Sequence, residues 1–167
     1  MQHNKNKIRI LVTGGTFDKE YNEIEEKLIF KDTHVPELLK KARCELTITV
    51  RNIMMVDSLH MTNEDRKIIV QHCKKTEEDK IIITHGTGTM AETARVLAKE
   101  IKNKTIVLTG AMIPYHYGSS DGFFNMGTAI AFVQTLPFGV YIAMNGKYFL
   151  HNNVRKNTET GKFEELH

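Results

Sequence analysis

Five short apolar runs, nearly continuous rather than alternating, set the tightest limit on how this chain can fold. They are Ile8–Val12, Leu46–Val50, Lys80–Thr84, Thr105–Thr109 and Gly139–Met144. A strand with one wet face alternates apolar and polar residues, whereas a run apolar at both parities belongs to a strand covered on both faces. Helical stretches with start signals lie between the runs. Thr33 and Pro36 precede Leu38 and Leu39, with proline tolerated in a first turn. Thr62 and Asp65 form a capping-box pattern before Ile68 and Ile69, and Thr89 and Glu92 form another before Ala94, Leu97 and Ala98. Gly122–Leu136 repeats Met126, Ile130 and Val133 at helical spacing and stops before Pro137. Strand and helix in this alternation predict an α/β fold, a three-layer αβα arrangement around a mostly parallel sheet with right-handed crossovers.

The 167 residues contain no repeat or linker and are read as one domain over 1–167, with a flexible start at 1–7 and a polar tail at 157–167. With 41% hydrophobic residues, a core can form without disulfides or metal. Lys and Arg number 23 against 20 acidic residues, a net +3, and they are scattered. That balance argues against nucleic-acid and membrane partners. Cys44 and Cys73 fall in different expected elements, outside any CxxC and without histidines at metal-finger spacing. They are read as reduced, half-buried thiols, and neither a metal nor a cofactor is expected. Polar Met1–Lys7 leads into Ile8–Val12, a run too short for a signal peptide or a membrane span, so the expected location is cytoplasmic.

In open α/β sheets, ligands collect outside the carboxyl ends of the strands. Here those ends read Thr13-Gly14-Gly15-Thr16, Asp57-Ser58, His85-Gly86-Thr87-Gly88-Thr89, Gly110-Ala111-Met112 and, after a short stretch, Asn152-Asn153-Val154-Arg155-Lys156. Glycines and small hydroxyl residues let backbone N–H groups and hydroxyls approach a small ligand closely. Each motif has a plainer reading as well. Thr13–Thr16 fits a tight turn whose threonines satisfy nearby backbone. Thr89 reads as the cap of the following helix, which leaves Thr87 free for chemistry. His85 reads as structural, with its ring nitrogens satisfied locally. Lys156 reads as a solvated charge, and Tyr21 as a surface aromatic beside Glu20, Glu23 and Glu25. No phosphate-loop or dinucleotide fingerprint follows the first strand, which sets a nucleotide-binding module aside.

Taken together, Thr-Gly-Gly-Thr (13–16), Asp-Ser-x-x-Met-Thr (57–62), Thr-His-Gly-Thr-x-Thr-Met-x-Glu-Thr-Ala (84–94), Leu-Thr-Gly-Ala-Met-x-Pro (108–114), Ser-x-Asp-Gly-x-x-Asn (119–125) and Val-x-Lys-x (154–157) resemble the bacterial-type L-asparaginase family. The motifs run in unbroken order from about Ile8 to Asn157, and the resemblance is to the amino-terminal domain of the long enzymes or to a short single-domain branch. It implies an amidohydrolase acting on L-asparagine. Thr16 takes the place of the nucleophile, Tyr21 of the residue that helps activate it, and Thr87 with Lys156 of a proton-handling pair. Ser58, with Asp57 ahead of it, matches the group that holds the substrate α-carboxylate. Gly15, Gly86 and Gly88 supply the backbone of the binding edge, and Ala111 lines it. The resemblance also implies a homodimer or homotetramer.

Two departures accompany the likeness. Position 88 is Gly where the family pattern has an aspartate that binds the substrate ammonium and buttresses the lysine. Without that acid, the lysine pKa is expected to fall below that of the usual family site. The long enzymes also draw an acidic residue from a carboxy-terminal domain of a neighbouring subunit, for which Glu20, Glu23, Glu25 or Glu164-Glu165 stand as substitutes. The departures keep two alternatives open, an amidase whose substrate lacks the α-ammonium and a catalytically silent amino-acid binder.

Overall fold

The computed structural model describes residues 6–167, so most of the flexible start expected at 1–7 lies outside the described residues. In chain order the elements are β1 (Lys7–Gly14), the hairpin strands β2 (Lys19–Asn22) and β3 (Lys27–Phe30), α1 (Val35–Lys41), β4 (Thr47–Val56), α2 (Asn63–Lys75), β5 (Lys80–Thr84), α3 (Met90–Glu100), β6 (Thr105–Thr109), α4 (Gly122–Thr135), β7 (Gly139–Met144), β8 (Lys147–Leu150), β9 (Arg155–Lys156) and β10 (Phe163–Glu164). The main sheet runs β4-β1-β5-β6-β7-β8. Its first five strands are parallel, and β8 joins the edge antiparallel to β7.

Side chains along each strand feed two cores by turns. Ile8, Ile10, Val12, Ile82, Val107, Tyr141 and Ala143 face the layer of α1 and α4, where Val35, Leu38, Met126, Ala129 and Val133 are buried. Leu11, Ile81, Ile83, Ile106, Leu108, Val140 and Ile142 face α2 and α3, meeting Ile69, Cys73, Ala94 and Leu97. Covering on both sides is what the continuous apolar runs require, and the three-layer α/β arrangement stands.

At the helix starts the outcomes differ. The Thr62–Asp65 box forms: Thr62 Oγ1 accepts from Asp65 N–H at 3.2 Å and Asp65 Oδ2 accepts from Thr62 N–H at 2.8 Å. Thr89 does not cap with its side chain; its hydroxyl donates to the Ser58 carbonyl at 2.8 Å, tying the loop after β4 to the start of α3. The Thr89–Glu92 box is therefore absent, because a carbonyl across the crevice competes for the hydroxyl. β4 continues past Val50 to Val56 as a half-exposed edge strand, which explains its polar Arg51 and Asn52.

The stretch from 157 onward is not a loose tail. Phe163 is buried at 4% exposure within the α2–α3 core, and β10 pairs antiparallel with β9. Asn145 Oδ1 accepts from Phe163 N–H at 2.9 Å, and Asn153 Oδ1 from Leu166 N–H at 2.8 Å. Both cysteines are free thiols: Cys44 is half-buried, whereas Cys73 is fully buried and desolvation pushes its pKa up to about 12. No described helix is long and apolar enough to cross a membrane.

Candidate active site

The strand order places the crevice. From β1 the sheet grows one way through β4 and the other way through β5, β6 and β7, so the connections after β1 and β5 diverge at its carboxyl edge. Those two connections are the turn at 13–16 and the loop at 85–89.

Backbone contact joins them. Gly15 has φ +79°, and a Cβ there would lie 2.4 Å from Gly86 N and 2.5 Å from Gly86 Cα. Only glycine serves at such a position. A Cβ on Gly86 would in turn stand 2.5 Å from Ser58 Cβ and Oγ, and one on Gly88 would stand 3.2 Å from Ser58 Oγ and 2.9 Å from Leu59 Cδ2. Gly15, Gly86, Gly88 and buried Ser58 thus form one continuous patch. Thr16 follows Gly15, partly exposed, and opens a single 3-10 turn through Asp18. Asp18 is fully buried and accepts from Thr33 Oγ1 at 3.0 Å and His34 N–H at 2.8 Å, which pins that turn against α1. Burial raises its pKa despite both bonds.

On the other side of the patch, Lys156 Nζ donates to Thr87 Oγ1 at 2.8 Å. Desolvation lowers the Lys156 pKa. Among the described residues no carboxylate lies within ion-pair distance of it, which agrees with the expectation drawn from Gly88. Beside the pair a cavity of about 470 Å³ is lined by Leu59, Thr87, Gly88, Thr89, Glu92 and Lys156, among others. Thr16 and Tyr21 do not line it. Tyr21 lies on the β2–β3 hairpin, paired with Leu28 and 51% exposed.

The loop after β5 is braced from beneath. Buried His85 contacts the Gly86 carbonyl through Nδ1 at 2.7 Å and Thr93 Oγ1 through Nε2 at 2.8 Å. Burial depresses its pKa to about 4, so near neutrality the uncharged ring donates from Nδ1 and accepts at Nε2. Arg66 Nε donates to Thr93 Oγ1 at 3.2 Å, and its NH2 pairs with Glu92 at 3.1 Å. His85 is structural, as read from the sequence. The loop after β6 is shaped by the Ser-x-Asp-Gly-x-x-Asn motif. Asp121 accepts from Met112 and Ile113 N–H at 3.0 Å, and Asn125 Nδ2 donates to the Gly110 carbonyl at 2.9 Å. Ala111 is buried there at 1% exposure.

One contributor, Lys19, escaped the sequence reading, and Asp57 and Glu92, named there, take other parts. Asp57 is committed to an ion pair with Lys19, which lowers its pKa, and to capping Leu59 N–H at 3.0 Å. Lys19 therefore ties the hairpin to the loop after β4, and only its place two residues before Tyr21 hinted at that. Glu92, read as half of a capping box, instead lines the cavity. Of the proposed substitute carboxylates, Glu164 is held by Arg155 at 2.6 Å and Glu25 by Lys27 at 2.6 Å, while Glu20 faces His34 at 3.3 Å.

These features define a doubly wound α/β protein whose crevice is built from glycine backbone, small hydroxyls and one lysine. The chain belongs to the asparaginase family, whose N-terminal model (Asparaginase, N-terminal) matches residues 7–165. An L-asparaginase of Thermococcus kodakarensis is 34% identical over 155 residues, covering 90% of this chain and 47% of that protein. L-asparaginase 1 of Escherichia coli K12 is 30% identical over 162 residues, covering 91% and 48%. In structure, the thermostable L-asparaginase from Thermococcus kodakarensis superposes with a TM-score of 0.85 at 30% identity, over 96% of this chain and 51% of that one. The chain thus spans about half the length of the curated relatives it matches.

Proposed function

We propose that this protein is an amidohydrolase that releases ammonia from L-asparagine through a threonine nucleophile and an acyl-enzyme. The observation that carries the reading is the Lys156–Thr87 hydrogen bond, set one residue beyond the point where Gly86 meets Gly15, which itself precedes Thr16. A threonine hydroxyl is a weak nucleophile until a base or relay takes its proton. In this scheme Thr16 attacks the amide carbon and passes its proton to Tyr21. Backbone N–H groups of the glycine patch and Thr87 hold the oxyanion, the larger share of the rate effect in such sites. Tyr21 relays the proton taken from Thr16 to the amide nitrogen, which leaves as ammonia; water delivered by Thr87 and Lys156 then hydrolyses the ester, one of its protons restoring the Thr16 hydroxyl. Ser58 faces the α-carboxylate, with Asp57 ahead of it held by Lys19, and Ala111 closes the floor. The mechanism needs no cofactor or metal.

A homodimer or homotetramer of this chain is part of the proposal. So are the reading of 1–167 as one domain and a cytoplasmic location. The test is an ammonia assay on asparagine with Thr16→Ala beside the parent chain. The variant is expected to lose turnover with its circular dichroism unchanged; normal turnover removes Thr16 from the mechanism.

Exposed Gly88 on the cavity wall, with no acid beside Lys156, favours a second reading in which the substrate lacks the α-ammonium. A missing charge-assisted hydrogen bond is worth about 1.5–3 kcal/mol. That weakens asparagine binding about ten- to a hundredfold. An amide panel of asparagine, glutamine and desamino analogues separates the two. Tight aspartate binding with no ammonia from any of them marks a silent binder.

A further inference from the structure

We propose that Glu20, His34 and His116 form a site for a divalent first-row transition metal, with Zn²⁺ the natural occupant. They come from three segments, β2, the residue capping α1 and the loop after β6. His34 Nε2 lies 3.3 Å from Glu20 Oε1, and His116 Nδ1 lies 3.6 Å from the same oxygen. One donor atom from each residue falls within 4.8 Å of the others. With bonds of 2.0–2.2 Å, a tetrahedral zinc holds its ligand atoms about 3.3–3.5 Å apart, close to the two measured separations.

Other observations point to a ligand. The His34 side chain is only 11% exposed, and its Nε2 is a buried nitrogen with no hydrogen-bond partner among the described residues. An orphaned buried polar atom is costly unless something completes it. A plain ion pair accounts for the cluster poorly. Charging both imidazoles would set two cations 5.5 Å apart between ring centroids, around a carboxylate whose other oxygen already has Lys31 Nζ at 3.5 Å. A metal instead takes both rings neutral. His116 is 58% exposed, so an ion enters from solvent. Two histidines and one carboxylate leave the fourth position to water.

Such an ion clamps the β2–β3 hairpin to α1 and to the loop after β6. The hairpin's other side-chain tie to the crevice is Lys19 with Asp57. The metal is thereby a positional device for Tyr21, but its binding does not depend on the proposed chemistry at Thr16.

The test uses the full chain, stripped with chelator and titrated with Zn²⁺ in competition with a chromophoric chelator. One Zn²⁺ per chain is expected, with a raised melting temperature and, for Co²⁺, visible bands of a four-coordinate N/O site. His116→Ala, at an exposed position, and Glu20→Gln should each weaken Zn²⁺ binding at least tenfold and abolish the thermal shift. No stoichiometric binding, or binding that either variant changes by less than tenfold, overturns the proposal.

Discussion

Burial depresses the pKa of Lys156 and no carboxylate offsets that loss, so on raising pH the folded chain gives up this proton before the unfolded chain does. Between the lowered folded pKa and the ordinary value of 10.5, the unfolded state binds more protons, and this group's contribution to stability grows with pH there. If the neutral amine receives a proton from Thr87, kcat/KM should climb along an alkaline limb with its midpoint below 10.5. Gly88→Asp should move that limb to higher pH and lower KM for asparagine, measured as initial rates across pH. A limb that stays put would detach Lys156 from the proton transfer. Space for the aspartate exists, since its Cβ meets chiefly the tip of Leu59, which is 75% exposed. At this scale the sequence was legible unevenly. Lys156, inside a polar stretch, carries no signal of its own and was marked only by the company of other motifs. His85 was read correctly, whereas Thr89 holds the N-cap position expected of it but not the side-chain capping bond, because a hydroxyl's partner across a crevice leaves no trace in local spacing.

Among the elements, the three strands at 80–84, 105–109 and 139–144 were readable to the residue because both faces are buried. The hairpin at 19–30 was missed for the opposite reason: with largely wet faces, Lys19-Glu20-Tyr21-Asn22 looks like any charged loop. β9 and β10 were missed because two-residue strands have no period to detect. Loop contacts at the crevice yield a contrasting pair of expectations. Gly86→Ala drives a Cβ into buried Ser58 and should destabilise by about 1–3 kcal/mol in urea melts, with loss of activity. Gly88→Ala meets mainly a flexible side-chain end and should shift the urea midpoint little. Equal effects from both would mean that the loops do not interlock as described.

For the whole molecule, the return of the chain to β10 couples the core to the crevice. Phe163 lies in the α2–α3 core while its strand partner is Lys156. Phe163→Ala should therefore cost about 3–5 kcal/mol. It should also reduce turnover by freeing Lys156, which paired denaturation and ammonia assays on the same preparation would show. Full stability with full activity would mean that β10 is dispensable. Phe163 packs with core residues far from it in the chain, such as Ile69 and Leu97, which is why the sequence suggested only a polar tail.

β1 sits inside the sheet, with Ile8 beside Ile48 on one flank and Lys80 on the other. Its two partners lie 40 and 72 residues further along the chain (Ile8 against Ile48 and against Lys80), so both hydrogen-bonding edges of this apolar ribbon are filled only by pairings distant in sequence. Chains dominated by such distant pairings close slowly, and their exposed edges invite association with other chains. Slow refolding and a need for dilute conditions are thus written into the same strand order that opens the crevice.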